Sequence, residues 1–291
     1  MIHVIIPVFN RLHYTINCIS SLKQQNFRDF RIIVVDDGST DGTYSHIRNN
    51  FPDVEVLRGD GNLWWTGATN LAVDHILEKN VPDDDFILTL NNDLIVKPDY
   101  FEKLLEVYND NKPCLVGSIS VDINNPEFVE YCGLRWNKYT ALYKPNAKPS
   151  DTLSKLQETT KAIPSDLLWG RGVLIPVPVI KKIGMFDQKE FPHYMADEDF
   201  SARANKAGYK SFISTFAVVY NHIQLTGLNG VHKKKGFSYW KDMFFSKKSG
   251  INLANRFKWA KKHGRIPVLY FAFDISRIVF SELKKIVLHT S

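Results

Sequence analysis

The chain is poor in cysteine. Three thiols in 291 residues, Cys18, Cys114 and Cys132, form no CxxC pair and cannot all pair internally. That argues against a disulfide scaffold and fits a reducing compartment. A leader is also missing from the reading: MIHVIIPVFN is too short, with too few basic residues ahead of its apolar run, for a secretory signal, and is read as a first strand. The longest uncharged run within 266–288 is too short to cross a bilayer. No internal repeat or low-complexity block is visible.

What is present suits a sizeable core, with 44% hydrophobic and 23% charged residues. The length fits one large α/β domain, or a domain with an appendage. The net charge of +6 is unevenly spread. Residues 232–291 carry 14 Lys+Arg against 3 Asp+Glu, a balance of +11 that leaves −5 on residues 1–231. A basic tail on a mildly acidic body suits an anionic partner such as lipid headgroups, a phosphorylated substrate or nucleic acid.

The first half alternates two periodicities. HVIIPV (3–8), RIIVVDD (31–37), VEVLRG (54–59) and FILTL (86–90) are short apolar runs, read as strands. Residues 14–25 place Ile16, Ile19 and Leu22 at helical spacing, and 69–79 form a second helical segment. Such alternation predicts a mostly parallel sheet with both faces covered, whose ligands sit beyond the carboxyl ends of the strands. Three polar sequences fall at those ends: FNR (9–11), DDGSTDGT (36–43) and NND (91–93). Residues 122–165 predict loops and a small antiparallel insertion. DEDFSARANKAGYK (197–210) predicts a helix ending at Gly208, and 211–222 a strand leading to His222.

Each polar motif has an ordinary structural reading. Asp36 and Asp37 suit a turn with a helix cap, or acceptor-only groups facing a nucleobase or ribose. NNDL suits a turn, or a strand end that grips a metal through Asp93. Asp197, Glu198 and Asp199 suit the start of a helix, where its dipole favours negative charge, and only part of that cluster can face one site. Arg203 is placed to pair with Asp199 at i,i+4. His222 is a lone histidine at a strand end.

VIIPVFNR, VVDDGSTDGT, LTLNNDL and ADEDFSARANKAGY, in that order, resemble the signatures of family-two inverting glycosyltransferases with the GT-A fold, over roughly residues 2–225. The resemblance implies a catalytic domain over 1–225 and a basic, helical extension over 226–291. It places Pro7, Phe9, Arg11, Asp36, Asp37, Gly61, Asn62, Asn91 and Asn92 around the nucleotide, with Asp37 facing the base and Asp36 supporting the loop. Asp93, and His222 as in some relatives, would hold Mn2+ or Mg2+, hard cations that favour such ligands. Asn91 stands where the family usually has the first Asp of Asp-x-Asp, and Ala196 where it usually has Glu. Asp197 takes the place of the catalytic base, with Asp199 and Glu198 as runners-up. Trp64, Trp65, Gly67, Asn70, Trp169 and Arg171 would line the sugar or acceptor side.

The expected activity is sugar transfer from a dTDP- or UDP-sugar, with dTDP-rhamnose narrowly ahead, to a bacterial surface-glycan precursor on a lipid carrier. The expected location is cytoplasmic, on the inner face of the plasma membrane. The amphipathic segment 266–288 has Val268, Phe271, Ala272, Ile275, Ile278, Val279, Leu283 and Ile286 on one side, opposite Asp274, Arg277, Ser281 and Lys284. It suits packing on the body, a homodimer contact or an anionic membrane. Three rivals stand: a sugar-phosphate nucleotidyltransferase, disfavoured because PVFNRLHY lacks a glycine-rich basic loop; a nucleic-acid binder, disfavoured by the acidic body; and a non-catalytic relative.

Overall fold

The computed structural model describes residues 1–223, 237–246 and 249–289. Lys233, Lys234, Lys235, Lys247 and Lys248 of the basic tail lie outside them. The elements run β1 (Ile2–Val8), α1 (Leu12–Lys23), β2 (Phe30–Asp36), α2 (Thr43–Asn50), β3 (Glu55–Arg58), α3 (Trp64–Leu77), β4 (Phe86–Thr89), β5 (Leu94–Val96) and α4 (Tyr100–Asn111). They continue with β6 (Cys114–Asp122), β7 (Asn125–Tyr131), β8 (Leu134–Asn137), β9 (Leu142–Pro145), α5 (Leu153–Thr159), β10 (Ala162–Pro164), β11 (Val173–Pro176), α6 (Val177–Ile183), α7 (Ala196–Lys206) and β12 (Lys210–Asn221). Three helices close the chain: α8 (Phe237–Phe245), α9 (Leu253–His263) and α10 (Pro267–His289).

The chain divides into two compact units, one of residues 1–134 and 145–226, the other of 135–144 and 227–291. The first is built on a sheet of order β10-β12-β6-β11-β4-β1-β2-β3. Strands β4, β1, β2 and β3 are mutually parallel, as are β6 and β12, while β11 runs antiparallel between β4 and β6. β7 and β10 fall within 122–165, where an antiparallel insertion was expected, and β5 adds an antiparallel piece outside it. Strand β1 is apolar almost throughout because both its faces are covered, as parallel strands require. Ile2, Val4, Ile6, Ile32, Val34 and Leu88 join a core with Cys18, Ile19 and Leu22 of α1 and Phe101 and Leu104 of α4. Ile5, Ile33 and Ile87 are equally buried, and α3 contacts β1 and β2. All three thiols are buried and free. Burial pushes the Cys132 thiol up to about 11.

Register fixes which loops meet. Val8 pairs with Asp36 and Asp36 with Arg58, while Thr89 lies beside both Ile5 and Val173. The carboxyl ends of β1, β2, β3 and β4 therefore share an edge with the start of β11. Helix α3 begins at Trp64, five residues before the segment predicted for it, so the two tryptophans sit on a first helical turn rather than on extended chain.

In the second unit, Tyr270 of α10 is fully buried, and its hydroxyl accepts bonds from the indoles of Trp136 (2.8 Å) and Trp259 (2.9 Å). Asp274, expected opposite the apolar side, is instead buried and paired with Arg256 at 3.4 Å. Phe271, Ile275, Ile278 and Val279 are half-buried, whereas Val268, Ala272 and Leu283 are exposed. The Ile286 side chain lies outside the described residues. No described helix is long and apolar enough to cross a membrane.

Candidate active site

The chain leaves β1 through Phe9, which is 58% exposed, and through Asn10 and Arg11, both at positive φ (60° and 65°). That left-handed pair is unfavourable for side-chain-bearing residues and is held by the neighbouring loop. Ser39 Oγ accepts the Asn10 N–H (2.7 Å), Asn10 Oδ1 accepts the Thr40 N–H (2.9 Å), and Asp41 Oδ2 accepts the Leu12 N–H (2.9 Å). The bracing aims Arg11 back at the sheet edge, where its Nη1 donates to Asp93 Oδ2 at 3.0 Å.

Asp36 and Asp37 are both buried but differently engaged. The Asp37 carboxylate accepts the N–H groups of Gly61 (2.8 Å) and Trp64 (3.0 Å), closing the 59–64 segment over it. Asp36 Oδ1 accepts the Ser39 N–H (2.7 Å), while its Oδ2 is buried without a hydrogen-bond partner among the described residues. Gly38, at φ 79°, has no room for a side chain: a Cβ there would stand 3.0 Å from Gly61 Cα. The Asn62 N–H is turned to Asp60 Oδ1 (2.8 Å).

Helix α3 ties this region to the second acidic cluster. Asn70 is buried and grips Phe186 at both backbone atoms (2.8 and 3.1 Å), and Thr66 bonds the Phe191 carbonyl (2.7 Å). Gly67 lies against Leu63 and Gln188, so both Asn70 and Gly67 serve packing of the loop before α7. The Trp64 ring is 5.3 Å from that of His193. Trp65 donates its indole N–H to Asn91 Oδ1 (3.1 Å). The adjacent Cζ2 lies against Gly170, where a Cβ would come 2.5 Å from Cζ2 and 3.4 Å from Asp197 Cβ. One edge of the indole thus touches both the NND loop and Gly170, the backbone neighbour of Asp197.

At the start of α7, Asp197 Oδ2 accepts the Gly170 N–H (2.6 Å) and Oδ1 accepts the Glu198 N–H (2.9 Å). Burial raises its pKa, outweighing those two bonds and the nearby Arg171 charge. Glu198 accepts the Trp169 indole N–H (3.2 Å). Asp199 is fully buried and paired with Arg203 at 2.8 Å, the expected i,i+4 contact, and Arg203 also caps the carbonyls of Ile183 and Met185.

Two neighbours were not legible in the sequence. Tyr131 stacks on Trp169 (centroids 4.2 Å apart, 11° between planes), and Glu130 holds Arg171 Nη1 with both oxygens at 2.8 Å. Glu130 also accepts from Ser120 and Asn221, and these partners outweigh its desolvation, lowering its pKa. Their signal is weak because β7 reads as polar chain (NPEFVEY).

His222 follows β12. The antiparallel register Val219↔Val96, Tyr220↔Ile95, Asn221↔Leu94 ends at the residues next to His222 and Asp93. The His222 ring meets Tyr14 edge-on at 5.1 Å. Asn92 turns inward to Thr15 Oγ1 (3.0 Å), and Pro7 lies within β1, paired with Val35. Among the described residues no three His, Cys, Asp or Glu side chains gather as a metal cage.

A parallel β-sheet half extended by antiparallel strands, with acidic loops along its carboxyl edge, defines the GT-A class of nucleotide-sugar-binding fold. Solved structures that share it include GalNAc-T7 with UDP, GalNAc and Mn2+ (TM-score 0.60, 13% identity, 95% of this chain and 54% of that one), and the mannosyltransferase PcManGT from Pyrobaculum calidifontis with GDP-Man and Mn2+ (TM-score 0.53, 13% identity, 98% and 82%). Residues 3–160 match Glycosyl transferase family 2, and the chain belongs to that family. It is 27% identical over 195 residues to an uncharacterized glycosyltransferase of Rickettsia typhi, covering 65% of this chain and 54% of that protein. It is 24% identical over 229 residues to the N-acetylglucosaminyl-diphospho-decaprenol L-rhamnosyltransferase of Mycobacterium tuberculosis, covering 70% of each. The chain spans about half the length of the rickettsial relative.

Proposed function

We propose that the protein is an inverting glycosyltransferase that moves a sugar from a nucleoside-diphosphate donor to a hydroxyl of a lipid-linked cell-envelope glycan precursor. The observation that carries this reading is Trp65, whose indole N–H bonds Asn91 and whose adjacent Cζ2 lies against Gly170, the residue whose N–H the Asp197 carboxylate accepts. That chain of contacts supports reading the NND loop and the α7 carboxylate as neighbours at one donor site.

Asp197 is the base. Its hydrogen bonds from the Gly170 and Glu198 N–H groups use one lone pair on each oxygen, leaving others for an acceptor hydroxyl, and its raised pKa strengthens it as a proton acceptor. It takes the hydroxyl proton as that oxygen bonds to the anomeric carbon and the bond to the diphosphate breaks. Asp199, closed off and neutralised by Arg203, is less suited to this work. Asp36 and Asp37 form the nucleoside end, with Asp36, buried and bonded to the Ser39 N–H, supporting the loop on which Asp37 stands.

The residues fit a divalent cation carried mainly by its diphosphate. Asp93 keeps one oxygen beyond its bond to Arg11, and His222 directly follows Asn221, which pairs with Leu94 next to Asp93. Mg2+ and Mn2+ keep several waters or phosphate oxygens, so one or two protein ligands suffice. Such an ion offsets charge on the departing diphosphate. Arg11, beside the same carboxylate, is placed to meet a phosphate.

The mycobacterial relative is an L-rhamnosyltransferase, which supports rhamnose as the sugar; dTDP-rhamnose, expected from the resemblance, leads and UDP-sugars follow. A thermal-shift panel of dTDP-, UDP- and GDP-sugars, each with and without Mn2+, tests base and cation together. Stabilisation by one nucleotide family, enhanced by Mn2+, is the expected result; no shift with any of them refutes the donor reading.

A further inference from the structure

Helix α10 buries both its carboxylates together with Tyr270, yet leaves one stripe of large apolar side chains exposed. Its two acids are Asp274, 3% exposed and paired with Arg256, and Glu282, 8% exposed and bonded by the Tyr239 hydroxyl at 2.5 Å. Arg277 donates to the carbonyls of Thr140 and Ala141 on the β8–β9 hairpin. On the other side Leu269 (50%), Phe273 (47%), Phe280 (72%) and Leu283 (45%) are exposed. At 100° per residue these four fall within an arc of about 80°. Lys284 at the edge of that arc and Arg265 just before the helix are exposed as well. No exposed acid stands on the helix among the described residues.

A helix that packs only on its own domain hides its apolar stripe. This one packs Tyr270 and its half-buried residues inward with the Asp274–Arg256 and Glu282–Tyr239 contacts, and still shows a second apolar stripe with cations at its edge. We infer that the outward face of α10 docks on an anionic lipid bilayer, with the Phe and Leu side chains entering the acyl boundary and Arg265 and Lys284 meeting lipid phosphates. Charge complementarity selects this occupant. A second copy would bring the same cations against these, whereas anionic headgroups neutralise them and the +11 of residues 232–291. The contact would place a transferase at the surface where a lipid-linked acceptor resides. Its evidence is separate from the donor and base assignments.

The test is co-sedimentation of the full chain with phosphatidylglycerol/phosphatidylcholine vesicles and with phosphatidylcholine alone. Wild type is expected to pellet with the anionic vesicles and to release as salt rises. The double variant F273S/F280S is expected to bind about tenfold or more weakly. R265E/K284E is expected to bind more weakly only to the anionic vesicles. All substituted side chains are exposed, and the thermal shift with nucleotide reports that each variant is folded and keeps its donor site. Equal pelleting of wild type and F273S/F280S overturns the inference, as does failure of wild type to bind either vesicle. A dimer in sedimentation velocity that F273S/F280S dissociates, without vesicle binding, gives the face to a second copy instead.

Discussion

Arg11 Nη1 lies 3.0 Å from Asp93 Oδ2, so the carboxylate best placed for a cation already carries a cationic partner. The two residues are 82 positions apart, yet both stand at the carboxyl edge of the sheet. Arg11 is 43% exposed and Asp93 9%, so solvent screens the pair, and it contributes on the order of 1 kcal/mol or less to stability. Asp93→Asn should therefore leave the melting temperature nearly unchanged while removing the Mn2+ enhancement of nucleotide binding. Titration calorimetry with nucleoside diphosphate, with and without Mn2+, reads this directly; a retained Mn2+ effect would free Asp93 of the role.

Asp197→Asn should lower turnover by about 10²- to 10⁴-fold, the range expected for loss of a general base, with donor affinity little altered. The amide also sets an NH2 against the N–H of Gly170 or Glu198. A stability loss of about 1–3 kcal/mol should accompany it in denaturant unfolding. Substantial residual turnover would transfer the role to Glu198.

The raised pKa of Asp197 has a sign for both rate and stability. The folded state holds this proton more tightly than the unfolded chain, so its contribution to stability falls as pH rises from the usual Asp range through the folded pKa. The rate has the opposite dependence, with its acidic limb displaced upward from the usual carboxylate range. Glu130 runs the other way: its lowered pKa gives stability that is present above the unfolded value and lost as pH falls through the folded one. Melting curves against pH for Asp197→Asn and Glu130→Gln should show these opposed changes of slope.

Breaking the Asp199–Arg203 pair tests structure against chemistry. Arg203→Ala strands a fully buried carboxylate and uncaps two carbonyls, which should cost about 3–5 kcal/mol in urea unfolding. Nucleotide affinity of the folded fraction should not move.

Gly170→Ala probes the contact between Trp65 and Gly170. Its Cβ would fall 2.5 Å from Trp65 Cζ2, so the indole must shift and its bond to Asn91 must weaken. Turnover should drop at least about tenfold, because misplacement near 1 Å is costly in an oriented site, while the protein stays folded. Wild-type turnover in Gly170→Ala would show that the Trp65 contact does not order the site.

The parallel strands were legible because a strand buried on both faces must be apolar nearly throughout, as β1 and β2 are. The edge loops were legible too, since turn residues and carboxylates interrupt those runs. Other elements were not: β6, Cys114–Asp122, mixes Gly and Ser into its run, and the start of α3 is masked by glycines and a left-handed Trp64. Polar stretch β7 hid Glu130 and Tyr131 for the same reason.

Local sequence by itself determined the order of strands and helices and which polar segments end the strands, because periodicity is a property of neighbours along the chain. The Asp199–Arg203 pair, one helical turn apart, was legible in the same way. Only tertiary structure decided that Arg11 meets Asp93 and Arg171 meets Glu130, and which side of α10 faces outward. Those outcomes follow from contacts between residues as much as 137 positions apart, where each partner's pattern is uninformative alone. Desolvation and pairing are set by what surrounds a charge in space, and no window along the chain contains that surrounding.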